Sequence, residues 1–165
     1  MSDRATGSLV SGRSTAPLTP ERIRSVSSTF LSLDRNAVSR HDPTGHTRFV
    51  VEIEDGEEIG VVYFGSDIYP GSAVYDPNSA LSMKAAAAHE LSHLNRWMDD
   101  TELPLGVHTH LDEALTSLDA VLRFGRAHLS DHEVEQLVRD AVQRLQLHRH
   151  LLANEGELGD ADPRL

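Results

Sequence analysis

The sequence predicts an α+β fold: one N-terminal helix, a small antiparallel β-sheet, then three further helices. Three observations carry this. Apolar residues recur at helical spacing near residue 20; the period switches to two over residues 48–64, around Asp55-Gly56; and from about residue 79 it returns to helical spacing through to about 152.

Residues 1–18 are rich in Ser, Thr, Gly and Ala without a hydrophobic period, and are expected to form a flexible arm. Thr19 as N-cap and Pro20 at the first helical position open a helix over about 20–34, with Ile23, Val26, Phe30 and Leu33 on one face. Arg40 to Thr47, containing Asp42, Pro43 and Gly45, is expected as a loop. From Arg48 onward Phe49, Val51 and Ile53 alternate with Val50, Glu52 and Glu54. Asp55-Gly56 turns the chain into a return strand, Ile59 to Phe64. A short third strand is expected at Ser72–Tyr75, stopped by Asp76-Pro77.

The next helix, about 79–97, takes Asn78 or Ser79 as its cap. Thr109 and Asp112 read as a capping box for another, ending near Phe124-Gly125, with Leu111, Leu115, Leu118 and Leu122 as its buried stripe. Ser130 and Glu133 open the last, about 131–152, with Val134, Leu137, Val138, Ala141, Leu145 and Leu151 or Leu152 facing inward. Residues 19–152 are therefore expected as a single domain and 153–165 as an acidic, flexible tail.

Composition removes several function classes. Among 165 residues the formal net charge is −11 and there is no basic block, which argues against a nucleic-acid surface. With no cysteine, disulfides, thiolate metal ligands and cysteine nucleophiles are excluded. No apolar run reaches membrane-spanning length and no secretory leader is evident, so a cytoplasmic protein without membrane association is expected. Aromatic residues are only 5%, so the core must be built mainly from Leu, Val, Ile and Ala.

The chemistry-bearing stretch is Ala85 to Trp97, AAAAHELSHLNRW. His89, Glu90 and His93 form an H-E-x-x-H pattern in a segment whose alanines and leucines favour helix. Residues four apart lie on one helix face, so both imidazoles can reach one metal ion while Glu90 points to its open side. That is the arrangement of a catalytic zinc site with Glu90 as general base. A third protein ligand is needed. Asp99 lies ten residues after His89, a spacing that resembles the third ligand of the metzincins, but that family needs a glycine seven residues after the first His, and Arg96 stands there. Glu113, twenty residues after His93 on the next helix and off its leucine stripe, is the better candidate.

HELSH followed at that interval by DEALTS resembles the gluzincin metallopeptidases. The order hairpin, edge strand, motif helix and glutamate helix is similar to the minimal, bacterial-style zinc-peptidase domains of the ImmA/IrrE type. The resemblance covers about residues 48–124 and rests on His89, Glu90, His93 and Glu113. Two positions depart from it: Asp112 replaces the Asn before the glutamate, and Ser117 stands where that clan often has Asp. The carboxylate that would orient a metal-bound His is therefore unassigned, with Asp112 and Asp119 as candidates.

The resemblance implies one Zn2+ per chain held by His89, His93 and Glu113, and hydrolysis of a peptide bond in a protein or peptide substrate. It also implies an oxyanion stabiliser. His108 and His110 are best placed by sequence for that role, with Tyr75 and Tyr69 behind them, and the Ser72–Tyr75 edge is the natural place for substrate to pair. The competing expectation is a degenerate zinc-binding domain that serves protein–protein interaction. Trp97 is expected in the core, and the pairs His128/His132 and His148/His150 in solvent.

Overall fold

The computed structural model describes residues 12–71 and 81–159. Helix α1 spans Pro20–Leu33; the Thr19 side chain accepts from the Arg22 amide at 3.3 Å and Val26, Phe30 and Leu33 are its buried residues. Strands β1 (Ser39–His41), β2 (Arg48–Glu54) and β3 (Glu57–Phe64) form one sheet in the order β1-β3-β2. The β2–β3 hairpin turns through Asp55 and Gly56 at φ 52° and 85°. Two successive left-handed residues make the primed turn that matches strand twist, and Gly56 adopts it without a Cβ penalty.

β1 is a correction to the expected loop, and it makes the sheet mixed rather than purely antiparallel. It runs parallel to β3, with Ser39 opposite Val62 and His41 opposite Phe64. Ser-Arg-His has no apolar alternation to announce a strand. Backbone groups hold it instead: the Val62 amide donates to the Val38 carbonyl at 2.9 Å and the Asp42 amide to the Phe64 carbonyl at 3.0 Å. The Asp42 carboxylate then takes the amides of Thr44 and Gly45, both at 3.0 Å, and turns the chain back toward β2. The strand expected at Ser72–Tyr75 and the caps Asn78 and Ser79 lie outside the described residues.

Helix α2 spans Met83–Met98 and starts later than expected, where the Ser82 hydroxyl accepts from the Ala85 amide at 3.0 Å. All ten residues from Ala85 to Leu94 are buried. A helix buried all round is a central one, and α2 packs against α1, β2, β3 and the two helices that follow. Its alanines let those neighbours come close. On the sheet side Gly60 of β3 faces Leu94, and a Cβ at Gly60 would stand 2.2 Å from Leu94 Cδ1 and 2.9 Å from the Phe49 ring. Gly60→Val is therefore expected to destabilise the fold by about 1–3 kcal/mol through overpacking, read as a lower urea midpoint with an unchanged slope. Trp97 packs on Phe49 with ring centroids 6.0 Å apart, on the sheet as expected.

Helices α3 (Thr109–Phe124) and α4 (Asp131–Gly159) lie along one another, and α4 runs beyond residue 152. Ser130 caps α4 by accepting from the Glu133 amide at 3.2 Å. The Thr109/Asp112 capping box does not form. Thr109 bonds instead to the Gly106 carbonyl at 2.8 Å, while Asp112 accepts from the Leu103 amide at 2.8 Å and pairs with Arg96 at 2.8 Å.

The buried face of α3 is not its leucine stripe, and that of α4 keeps Leu137 and Ala141 of the expected set but not Val138 and Leu145. On α3 the buried residues are Glu113, Ala114, Thr116, Ser117, Ala120 and Phe124, while Leu122 is 84% exposed and Leu115 and Leu118 are partly so. On α4 they are Leu137, Asp140, Ala141, Arg144 and His148, with Val138, Val142 and Leu145 outward. The polar face turns inward because α2 presents buried His and Glu there, and buried polar groups need partners.

Residues 12–18, read as part of the N-terminal arm, carry one anchor. Arg13 is buried and donates to the carbonyls of Asp67 at 2.7 Å, Ile68 at 2.6 Å and Leu81. Among the described residues no helix is long and apolar enough to cross a membrane.

Candidate metal centre

One turn apart on α2, His89 and His93 project together, with ring centroids 4.9 Å apart and planes at 82°. α3 lies across them, and from it Glu113 brings Oε2 to 3.0 Å from His89 Nε2 and 3.4 Å from His93 Nε2. All three side chains are buried, and their donor atoms lie within 4.8 Å of one another. Donors about 2.1 Å from one tetrahedral ion stand about 3.4 Å apart, so the spacing suits a single metal.

Behind each ring stands a hydroxyl that already donates elsewhere. The Ser117 hydroxyl gives its one proton to Asp140 of α4, so at 2.8 Å from His89 Nδ1 it can only accept. The Thr116 hydroxyl gives its proton to the Asp112 carbonyl at 2.9 Å, takes one from Arg96 at 2.7 Å, and lies 3.4 Å from His93 Nδ1. With Nδ1 of each ring turned to an accepting hydroxyl, Nε2 is the nitrogen that faces Glu113. His93 Nε2 is buried and makes no hydrogen bond. The donor set therefore fits a divalent ion that accepts two imidazoles and one carboxylate, with no thiolate.

Glu90, beside His89, is buried, and its Oε2 has no hydrogen-bond partner. Burial pushes its carboxyl up to about 7; His93 opposes the rise and Glu113 adds to it. Burial acts on Glu113 in the same direction, but His93 and His89 outweigh it and hold that carboxyl well below the usual range. The two carboxyls are thus pushed in opposite directions, Glu90 up and Glu113 down.

The site also uses residues the sequence did not point to. Asp140 is held by Arg144 Nε at 3.1 Å, and Arg144 Nη1 reaches to 3.7 Å from Glu113 Oε2. An i,i+4 Asp–Arg pair on the same face as Leu137 and Ala141 was the available signal. Neither expected orienting carboxylate serves: Asp112 pairs with Arg96, and Asp119 with Arg123 at 2.6 Å. Asp99 is exposed and also pairs with Arg123, away from the histidines. His108 sits at the start of α3 against His148, with centroids 5.4 Å apart, and His148 Nδ1 faces the Val107 carbonyl at 3.2 Å. His148 is thus largely buried rather than solvated. His110, one turn before Glu113, is half-buried with no hydrogen bond at Nδ1. Tyr69 lies under Arg22, its ring centroid 4.7 Å from the guanidinium carbon. Tyr75 lies outside the described residues.

His89, His93 and Glu113 make a minimal H-E-x-x-H-plus-glutamate centre of the zincin kind, able to coordinate a metal ion. No family model matches the chain, and no curated protein or solved structure does.

Proposed function

We propose that the chain is a zinc-dependent metallopeptidase that takes one Zn2+ on His89, His93 and Glu113 and hydrolyses a peptide bond in a protein or peptide substrate. The observation that carries this is Glu90. A centre that only stored or sensed a metal has no use for a buried carboxyl with a free oxygen beside its donors. Zinc in such a site lowers the pKa of a coordinated water toward neutrality and polarises a carbonyl. Glu90 would accept the proton of the attacking water and return it to the departing amine, a task suited to a group lifted to about 7. His89 and His93 would offer the metal their Nε2 atoms, with each Nδ1 turned to a hydroxyl behind the ring. For the oxyanion we take His110 ahead of His108, because the buried Nδ1 of His110 makes no hydrogen bond.

A second reading has its own support. His89, Glu90, His93 and Glu113 are each no more than 3% exposed, which suits a non-catalytic zinc-binding module for protein interaction. The two are separated by incubating the zinc-loaded protein with a mixture of cellular proteins and sequencing new N-termini. Cleavages that vanish with a chelator and with Glu90→Gln support the peptidase; none, at one zinc per chain, supports the binding module.

Metal should also stabilise the fold. Free zinc at about 100 times its dissociation constant contributes about 2.7 kcal/mol. For a chain of this length that raises the thermal midpoint by about 5–10 °C. Melts with zinc and with excess chelator should differ by that much; coincident melts would count against the site.

A further inference from the structure

We propose that Asp140 of α4, acting through the Ser117 hydroxyl, is the positioning carboxylate of the metal centre, and that Arg144 ties it to the ligand Glu113. This rests on the metal reading of His89, His93 and Glu113 and extends it to a helix that contributes no ligand.

The chain of contacts is continuous and buried. His89 Nδ1 donates to Ser117 Oγ at 2.8 Å; Ser117 donates to Asp140 Oδ2; Asp140 accepts from Arg144 Nε at 3.1 and 3.2 Å; Arg144 Nη1 lies 3.7 Å from Glu113 Oε2. Ser117, Asp140 and Arg144 are each 3% exposed or less. A ligand histidine that donates from its far nitrogen toward a carboxylate is fixed in tautomer and orientation, and its ligating nitrogen becomes more basic. On the Nδ1 side of His89, α3 offers the Ser117 hydroxyl and not a carboxylate. That hydroxyl bridges to a carboxylate on the neighbouring helix, and the two groups together span the distance.

Arg144 has a distinct part. Asp140 and Glu113 are two buried carboxylates near one another, and a guanidinium between them offsets their repulsion. It also sets where Glu113 lies relative to the rings. The docking of α4 on α3 is thereby coupled to metal affinity, although α4 touches no metal.

The test is a double-mutant cycle in zinc affinity, measured on the full chain by competition with a chromophoric chelator. Ser117→Ala and Asp140→Asn are each expected to weaken zinc binding about 10- to 100-fold. Because both cut the same path, the double variant should bind no more weakly than about the worse single one. Melting of the zinc-free proteins confirms that each is folded; Ser117→Ala removes only a hydroxyl and is the safeguard should Asp140→Asn not fold. Wild-type affinity in Ser117→Ala, or additive losses in the double variant, would overturn the positioning role. If the wild type itself binds no zinc, it is the metal reading that fails instead.

Discussion

Glu113→Ala is expected to leave the purified protein with far less than one zinc per chain, where the wild type carries one. Glu113 is the only charged ligand of the three, and its Oε2 lies 3.0 and 3.4 Å from the two histidine nitrogens. Truncating a buried charged partner at a binding site costs about 2–5 kcal/mol, which is about 30- to 5,000-fold in affinity. The two histidines alone would then hold zinc no better than an adventitious site. Glu113→Gln keeps the volume and loses the charge, so it separates ligand loss from collapse around a cavity. Elemental analysis after desalting gives the answer for both. Full zinc occupancy in either variant would remove Glu113 from the centre.

Glu90→Gln should do the reverse: full zinc and little turnover. The amide fills the same space but cannot take a proton, and loss of a general base costs about 10²- to 10⁴-fold in rate. The Glu90 carboxyl is buried, with one oxygen unpartnered, so the neutral amide should not destabilise the helix. A fall in kcat with KM nearly unchanged, at one zinc per chain, is the expected pattern. Equal turnover in Glu90→Gln and wild type would move the base elsewhere and undo the mechanism.

Much of this was legible in the residues, for identifiable reasons. Thr19-Pro20, the Asp55-Gly56 turn and the alanine-rich H-E-x-x-H segment are local signals, and α1, the β2–β3 hairpin and α2 formed where they lie. Glu113 converges on the histidines because the third and fourth helices pack against α2 with their polar faces. What failed was the assumption that leucine marks the inward face. Leu115, Leu118 and Leu122 point outward on α3, and Val138 and Leu145 on α4 while Leu137 and Ala141 face inward as expected, because a buried metal-type centre demands polar partners from both helices. The i,i+4 spacing of Asp140 and Arg144 marks a pair on the inward face but not its partner, since Asp140 reaches His89 through Ser117 from a separate helix and no spacing rule links them. β1 was missed because a three-residue strand held by long-range backbone pairing leaves no periodic trace.

Anomalous diffraction at the zinc absorption edge, on crystals of the zinc-loaded protein, tests the centre most directly. One peak per chain is expected, about 2.0–2.2 Å from His89 Nε2, His93 Nε2 and a Glu113 oxygen, with a further position open to solvent or substrate. A peak elsewhere, a fourth protein ligand closing the coordination sphere, or Glu113 turned away from the ion would contradict a catalytic zinc site.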